Sequence, residues 1–314
     1  MKRLISIVLL LFVSVSVMCA CSQQGAEEVT ETTVNPQSVP AANDPLWYDF
    51  ATYEARNVVK NPEKLSFPEL DNSCETYKFT YFSDRYEVKG FVSIPLECIN
   101  SKTPFDCIVY NRGGNGNVGL LTGEEIATVC KETNRVVVAS QYRGADGGQG
   151  VDEFGGKDIE DVTTLIDMCE QDFKFAKIDN LCMIGVSRGG MMSYMVAKED
   201  KRVKGIVAVS GISDLAVTYN ENADMRGVLE AAIGGTPETH PEEYAKRSAI
   251  TFADELTLPV YILHNGDDPR VSQAQDMALN DVLAASKYPC TYYYVAGGEQ
   301  IIMQEVADAV SVVC

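Results

Sequence analysis

The stretch Leu181-Cys182-Met183-Ile184-Gly185-Val186-Ser187-Arg188-Gly189-Gly190 decides the fold of this 314-residue chain. Its apolar first half predicts a buried strand, and the serine between glycines predicts a sharp turn into a helix. Glycines are needed there because side chains would clash, and strain at the turn lifts the serine oxygen above the sheet edge. The pattern is typical of a nucleophile elbow, with Ser187 as the candidate nucleophile.

Strands and helices alternate on both sides of this stretch. Strands are predicted over residues 77–82, 87–94, 105–111, 135–140, 181–186, 203–209, 259–264 and 291–295. Helices are predicted over residues 122–133, 157–171, 189–198, 272–286 and the last turns of the chain. Strands separated by helices require right-handed parallel crossovers. The sequence therefore predicts an α/β fold, with a mostly parallel central sheet, helices on both faces and a small cap insertion at about residues 211–255.

The N-terminal segment predicts export. A basic start at Met1-Lys2-Arg3 is followed by an apolar run that is too short to span a bilayer, and Ala20 precedes Cys21 as in the bacterial lipoprotein processing site. We expect a signal peptide over residues 1–20, a lipidated, disordered tether over 21–45 and the α/β domain over 46–314. The expected location is the bacterial cell envelope, membrane-anchored through Cys21, with a periplasmic or secreted protein as the alternative.

Composition excludes several function classes. The formal net charge of −19 repels phosphate backbones and argues against nucleic-acid binding. Cysteines and histidines show no metal-ligand spacing, and the glycine-rich segment at 113–116 lacks the lysine and serine of a phosphate loop. We therefore expect no metal and no cofactor. Buried cysteines in predicted strands are interpreted as free thiols, and the sequence does not give a disulfide pairing.

Five segments in order resemble the α/β-hydrolase fold and, more narrowly, the catalytic domain of the prolyl oligopeptidase family of serine peptidases. They are residues 110–116, 141–148, 155–161, the elbow itself and 264–271. The resemblance implies that Ser187 is the nucleophile and Asp268 the triad acid, with the adjacent Asp267 as the alternative.

The same resemblance assigns residues around the nucleophile. The backbone N–H groups of Arg188, Gly113 and Gly114 would form the oxyanion hole. Tyr142 and Arg188 are expected to border the site, with Tyr142 contacting the substrate. Arg112 stands where many relatives have histidine.

The catalytic histidine of the family has no counterpart in the sequence. Gln300 occupies its position in the loop after the last core strand, and a glutamine amide cannot accept a proton near neutral pH. His264, His240 and Glu299 are alternative bases, although His264 is expected to be structural and Glu299 to face solvent. An alteration of the sequence near its C-terminal end is a further explanation.

The sequence thus predicts a serine hydrolase that cleaves small peptide or ester substrates by acyl transfer through Ser187, with its activity reduced or absent. The alternative is a catalytically inactive pseudoenzyme that acts as a cell-envelope binding protein. A proton acceptor for Ser187 separates these two hypotheses.

Overall fold

A nine-stranded sheet runs through the computed structural model, which describes residues 48–285, 288–296 and 301–314. Its strands are β1 (Lys60–Leu65), β2 (Cys74–Ser83), β3 (Tyr86–Pro95), β4 (Phe105–Asn111), β5 (Val136–Ser140), β6 (Ala176–Val186), β7 (Val203–Val209), β8 (Val260–Asn265) and β9 (Cys290–Val295). The order across the sheet is β1-β2-β3-β5-β4-β6-β7-β8-β9. β1, β2 and β3 pair antiparallel, as do β3 and β5, while all pairs from β5 to β9 are parallel. The predicted α/β class with a mostly parallel sheet is confirmed.

Ten helices connect and cover these strands in the described ranges. They are α1 (Phe50–Ala55), α2 (Leu96–Ser101), α3 (Gly123–Thr133), α4 (Ile159–Gln171), α5 (Arg188–Glu199), α6 (Leu215–Glu221), α7 (Ala223–Ile233), α8 (Pro241–Lys246), α9 (Gln273–Ala284) and α10 (Met303–Val313). Short 3-10 turns lie at Ala249–Thr251 and Ala253–Glu255. Among the described residues, no helix has the length and apolar character needed to cross a bilayer.

The parallel strands are buried on both faces because helices cover both. In β5, Val136 and Val138 pack into one apolar core with α4, α5 and α9, whereas Val137 and Ala139 pack into a second core with α3 and α10. This alternation follows from the two-residue period of a strand. Each fully buried valine contributes roughly 1.5–3 kcal/mol relative to an exposed one.

The start of α3 shows how the sequence sets a helix boundary. Thr122 Oγ1 accepts a hydrogen bond from the Glu125 N–H at 3.2 Å, and Glu125 Oε2 accepts one from the Thr122 N–H at 2.7 Å. This reciprocal capping box satisfies two backbone donors that the first helical turn leaves without partners. The helix expected over 122–133 therefore begins at Gly123, with Thr122 as its cap.

The edge of the sheet differs from the prediction. The sequence pattern does not indicate α1 or β1, and it predicts a central strand that begins at residue 181, whereas β6 begins at Ala176. β1 is polar and half-exposed because it pairs only with β2 at the sheet edge, so it lacks the apolar alternation that marks a strand. Three helices, α6 to α8, occupy the 211–255 segment between β7 and β8.

Candidate active site

Ser187 lies at the turn between β6 and α5 in a backbone conformation that L-residues rarely adopt, with φ 54° and ψ −119°. Three backbone hydrogen bonds hold it there. Its N–H donates to the Val209 carbonyl at 2.9 Å, and its carbonyl accepts from the N–H groups of Gly190 and Ile212 at 3.0 Å each. Such a conformation costs on the order of 1–3 kcal/mol and persists only where the surroundings enforce it. The elbow predicted from the sequence is therefore present as a strained, anchored turn.

Close backbone contact explains the glycine after the nucleophile. A Cβ atom at Gly189 would overlap the carbonyl oxygen of Asn111 at the end of β4. Only glycine permits this approach, which brings the N-terminus of α5 against the segment that follows β4. The same approach places Gly113 beside the nucleophile, since a Cβ there would lie 3.3 Å from Ser187 Cβ and 3.9 Å from Ser187 Oγ.

Three backbone donors near the elbow have no acceptor among the described residues. Within the described residues, the N–H groups of Gly113, Gly114 and Arg188 donate no hydrogen bond to the chain. Arg188 is the first residue of α5, where a helix leaves its N–H groups unpaired and carries positive potential. These are the three donors that the sequence analysis expected to form the oxyanion hole, and they remain available for a negatively charged oxygen.

A buried arginine shapes the loop that carries Gly113 and Gly114. The Arg112 guanidinium donates to the carbonyls of Gly116 at 2.6 Å, Val118 at 2.9 Å and Gly119 at 3.0 Å. It is 1% exposed, and its Nε also donates to the Gln141 carbonyl at 2.9 Å. Because the guanidinium has five donors fixed in one plane, it binds several carbonyls of the loop at once and fixes the loop conformation.

A second buried arginine locks the same loop from the opposite side. Arg188 Nη1 donates to the Gly114 carbonyl at 3.1 Å and to Asp152 Oδ2 at 2.7 Å, while Nη2 pairs with Asp158. Asp152 in turn accepts from the Gly116 N–H at 2.7 Å. Arg188 therefore contributes its free N–H to the candidate oxyanion hole, and its side chain fixes the glycine loop that supplies the other donors.

The two carboxylates beside Arg188 respond to it differently. Burial acts to raise the pKa of Asp152, but the charge of Arg188 and the Gly116 N–H outweigh it, and the pKa lies below its usual value. Asp158 is fully covered, and burial raises its pKa despite the opposing charge of Arg188. The ionised Asp152 is thus the more strongly stabilised partner of the guanidinium.

Tyr142 lies beneath these arginines instead of at the mouth of the site. Its ring is 0% exposed and lies 5.3 Å from the Arg112 guanidinium and 4.8 Å from that of Arg188, and its hydroxyl donates to the Arg112 carbonyl at 3.3 Å. The expected substrate contact of Tyr142 needs correction, because the described structure leaves no surface of the ring for a ligand. Tyr142 supports the two guanidinium groups by cation–π contact.

Asp268 follows β8 on the loop where a triad acid was expected. It is half-buried, and its Oδ1 accepts hydrogen bonds from the N–H groups of Arg270 at 2.8 Å and Val271 at 3.0 Å. Asp267 beside it is exposed. The carboxylate is therefore held in a defined turn, and among the described residues it makes no hydrogen bond to a histidine.

Neither histidine forms a hydrogen bond with the nucleophile in the part of the chain that the structure describes. His264 is 1% exposed, and its Nδ1 lies 2.7 Å from Asp276 Oδ2, within a pair buried under α9. His240 is exposed at the start of α8, with its Nδ1 3.0 Å from Thr239 Oγ1. In the described residues, no side chain forms a hydrogen bond with Ser187 Oγ, so neither ring is placed as its base.

Several sequence predictions fall outside the described ranges. They are the signal peptide, Cys21, the tether, and Glu299 and Gln300 of the loop after β9. Elsewhere, within those ranges, no group of three or more His, Cys, Asp or Glu side chains is arranged to hold a metal ion. The sequence motifs indicate no role for Asp152, and they mark Arg112 only as a replacement for histidine. One other feature of the sequence does indicate such a role, namely that opposite charges lie on two loops that follow strands of the parallel sheet and therefore meet at one edge of it.

Comparison with known proteins gives this site a family context. The model of the prolyl oligopeptidase family matches residues 124–300. The uncharacterized peptidase YtmA of Bacillus subtilis is 32% identical over 234 residues, which span 74% of this chain and 89% of the relative.

Solved structures share the fold at lower identity. Pyrococcus horikoshii acylaminoacyl peptidase aligns with a TM-score of 0.62 at 17% identity over 79% of this chain, and the match spans only 43% of that protein's length. Acetyl xylan esterase 1 from a Thermoanaerobacterium species aligns with a TM-score of 0.56 at 17% identity, over 85% of this chain and 92% of the esterase. Identities at this level show the fold alone, whereas the family match at residues 124–300 includes Ser187 and strands β5, β6, β7, β8 and β9. This chain belongs to the prolyl oligopeptidase family.

Proposed function

We propose that the chain is a serine hydrolase of prolyl oligopeptidase type, which cleaves small peptide or ester substrates by acyl transfer through Ser187. The observation that carries this proposal is the strained Ser187 backbone, together with the N–H groups of Arg188, Gly113 and Gly114, which have no acceptor among the described residues. A strained turn costs stability, and two buried arginines are devoted to the loop facing it. A backbone held in this way is expected where N–H groups must stabilise a negative charge.

The chemistry follows from these positions. Ser187 Oγ attacks the substrate carbonyl, and the oxygen that becomes negative is stabilised by the N–H groups of Arg188, Gly113 and Gly114. Collapse of the tetrahedral intermediate expels the amine or alcohol and leaves an acyl-serine, which water then hydrolyses. Peptide and ester substrates pass through the same intermediate, so the oxyanion hole serves both.

The proton of Ser187 is the weak point of this mechanism. In an enzyme with a triad, histidine takes that proton, and its loss lowers turnover on the order of a millionfold while the oxyanion hole still acts. Gln300 supplies no such acceptor. We therefore propose slow acylation, with the proton passing to solvent water, and a turnover far below that of an enzyme with a complete triad.

A second candidate function is a binding protein that uses the same pocket without chemistry. The observation that favours it is the placement of both histidines, His264 against Asp276 and His240 on an exposed helix start. A substrate-like ester or peptide would then be held by the oxyanion donors and released unchanged.

We also propose that the chain is exported and anchored by lipid at Cys21. The basic start, the short apolar run and the alanine before Cys21 support this location. Metabolic labelling with a fatty-acid analogue is expected to mark the wild-type protein and not the Cys21→Ser variant. Equal labelling of both proteins would overturn the anchor.

Reaction with a fluorophosphonate probe tests the hydrolase proposal, because the oxygen of an activated serine attacks the phosphorus of the probe and expels fluoride. The wild-type protein is expected to label slowly at Ser187, and Ser187→Ala is expected not to label. Gln300→His should raise the labelling rate at least a hundredfold by restoring the base. Gln304→His is the matched control, because Gln304 is exposed on α10, where its amide donates to Asp308 at 2.9 Å.

The outcomes separate the two candidate functions. If Gln300→His is labelled and the wild-type protein is not, the binding protein is favoured. The pocket of the wild type would then be intact, and only its ability to activate Ser187 would be lost. Absence of labelling in both proteins would overturn the hydrolase proposal.

A further inference from the structure

Six of the eight cysteines in the described residues lie in facing pairs, and each pair joins the sheet to a covering helix. The first pair is Cys107 on β4 and Cys169 on α4, both at most 1% exposed, with their Sγ atoms 3.4 Å apart. A disulfide has a bond of about 2.05 Å, so the two thiols need to approach by only about 1.4 Å. Small side-chain rotations bridge such a gap without moving the backbone.

The second pair joins the outer part of the sheet to α3. Cys74 begins β2, and its Sγ donates to the carbonyl of Ala127 on α3 at 3.6 Å. Cys130 follows three residues later on the same face of that helix, and it is 0% exposed. The two thiols are close enough for each to shift the pKa of the other.

The third pair joins the centre of the sheet to the end of the chain. Cys182 on β6 pairs in register with Gly205 on β7. Cys314 covers that point, because a Cβ atom at Gly205 would lie 2.7 Å from Cys314 Sγ. The missing side chain at Gly205 gives Cys314 the space to reach Cys182, whose thiol interacts with it.

We propose that Cys74–Cys130, Cys107–Cys169 and Cys182–Cys314 are three disulfide sites, which close as the chain folds in the presence of a disulfide oxidant. Each would tie one strand to a helix that covers it, two on the α3–α10 face of the sheet and one on the α4 face. Together they would cross-link both layers of the fold to its centre.

The other two of the eight described cysteines, Cys98 and Cys290, have other partners. Cys98 Sγ donates to the carbonyls of Thr103 at 3.2 Å and Phe175 at 3.5 Å, and Cys290 Sγ donates to Asn280 Oδ1 at 3.5 Å. Neither thiol is placed against the other. The geometry thus specifies both which cysteines pair and which stay reduced.

The oxidation is a pair of thiol–disulfide exchanges. One thiolate attacks a sulfur of the oxidant, which is a small disulfide such as oxidised glutathione, and expels one thiol. Its partner then attacks the mixed disulfide and expels the second thiol, so the protein loses two electrons and two protons per pair. In the second pair the hydrogen bond from Cys130 lowers the pKa of Cys74 to about 6, which makes Cys74 the attacking thiolate.

In the cell this oxidation rests on the export proposed above, because cytosolic thiols stay reduced. The test below does not depend on export or on catalysis. Its failure is therefore distinguishable from failure of the proposed function, which the fluorophosphonate reaction of Ser187 measures in the same sample.

The reduced, unfolded full chain is refolded with oxidised and reduced glutathione, alkylated, digested and mapped by mass spectrometry. We expect the three cross-linked peptides, with Cys98 and Cys290 alkylated. Refolding with dithiothreitol should give alkylation at all eight cysteines of the described residues and a lower melting temperature. Recovery of Cys107 and Cys169 as alkylated peptides after oxidative refolding, or a dominant Cys98–Cys130 cross-link, would overturn the proposal.

Two variants sharpen the test. Cys98→Ser should retain all three cross-links and the full fall in melting temperature on reduction. Cys169→Ala should lose only the Cys107 cross-link and show a smaller fall. A fall as large as that of the wild type in Cys169→Ala would show that the Cys107–Cys169 site does not stabilise the fold, and it would overturn the proposal for that pair. Mapping of the wild type decides the pairing should the variant fail to fold.

Discussion

The Arg188 side chain donates to the Gly114 carbonyl at 3.1 Å, while its backbone N–H, at the start of α5, donates to no other described residue. One residue thus links the helix that follows the nucleophile to the glycine loop that faces it. Asp152 and Asp158 hold the guanidinium in this position. Any change in that side chain is therefore expected to reach both halves of the site.

Replacement of Arg188 tests this link. Lysine has a single ammonium group and cannot reach Asp152, Asp158 and the Gly114 carbonyl together. In the Gln300→His background, Arg188→Lys is expected to lower the rate of fluorophosphonate labelling by about 10–100-fold, because small displacements of catalytic donors are costly. The rate constants are measured by intact-protein mass spectrometry.

Arg202→Lys is the matched control for that change. Arg202 likewise lies in a cluster of carboxylates and pairs with three of them, but its side chain is 28% exposed and lies outside the site. Its replacement should leave labelling unchanged. An Arg188→Lys variant that labels at the rate of its parent would contradict the proposed role of the side chain.

Strain at Ser187 is measurable without any reaction. Glycine adopts φ 54° and ψ −119° at little steric cost, whereas alanine retains the clash of an L-residue. Relief of strain favours the glycine variant, whereas the larger entropy that glycine loses on folding opposes it. We therefore expect the unfolding free energy of Ser187→Gly to exceed that of Ser187→Ala by about 1 kcal/mol. Urea denaturation at neutral pH gives both values. If the alanine variant is the more stable, the turn is not strained.

The role of His264 can be separated from catalysis. Its removal leaves Asp276 buried with no partner, so His264→Gln is expected to lose about 3 kcal/mol of stability. Its labelling rate at Ser187 should match that of the wild type when the protein is folded. His240→Gln, at an exposed position, should change neither quantity. A selective loss of labelling in His264→Gln would show that this ring serves as the base.

Asp152 should make stability depend on pH in the acid range. The pKa of Asp152 in the folded protein lies below the usual 3.8. Its carboxylate therefore stabilises the fold fully at pH values above the pKa of the same group in the unfolded chain. This stabilisation is lost as the pH falls through the pKa of the folded protein. Asp152→Asn is expected to lose about 3 kcal/mol of stability at pH 7 and about 1 kcal/mol less than that near pH 3. Denaturation curves across that range measure the difference.

The exposed Asp254 provides the control for this titration. Asp254→Asn should be about as stable as the wild type at both ends of the range. A deficit in Asp152→Asn that stays constant from pH 7 to pH 3 would show that its charge is not what stabilises the loop.

Periodicity predicted the central sheet because its strands are buried on both faces. The runs containing Val109, Val138 and Ile184 are continuously apolar, and the structure places all of them in the sheet. The edge strand β1 escaped prediction because its residues are held by pairing with β2 and not by burial. The spacing of apolar residues in the sequence reflects burial. A strand that is stabilised mainly by hydrogen bonds to its neighbour's backbone therefore shows little of this spacing.

The support of the site was harder to predict than its chemical groups. Ser187 and the glycine pair follow from short motifs whose spacing fixes their geometry. The contact of Arg188 with Asp152, by contrast, joins residues 36 positions apart on different loops. Tyr142 illustrates the same limit, since its position in sequence suggested a substrate contact and only the packing of two guanidinium groups shows that it is covered.

Asn265, at the end of β8, holds the chain on both sides of the segment that contains Gln300. It pairs with Val295 in the sheet, and its Oδ1 accepts a hydrogen bond from the Ile301 N–H at 2.9 Å. One residue of β8 thus contacts the chain at Val295 and again at Ile301, on either side of residues 297–300. The substitution Gln300→His alters neither of these contacting groups. If that substitution restores a base, loss and recovery of catalysis are separated by a single residue change.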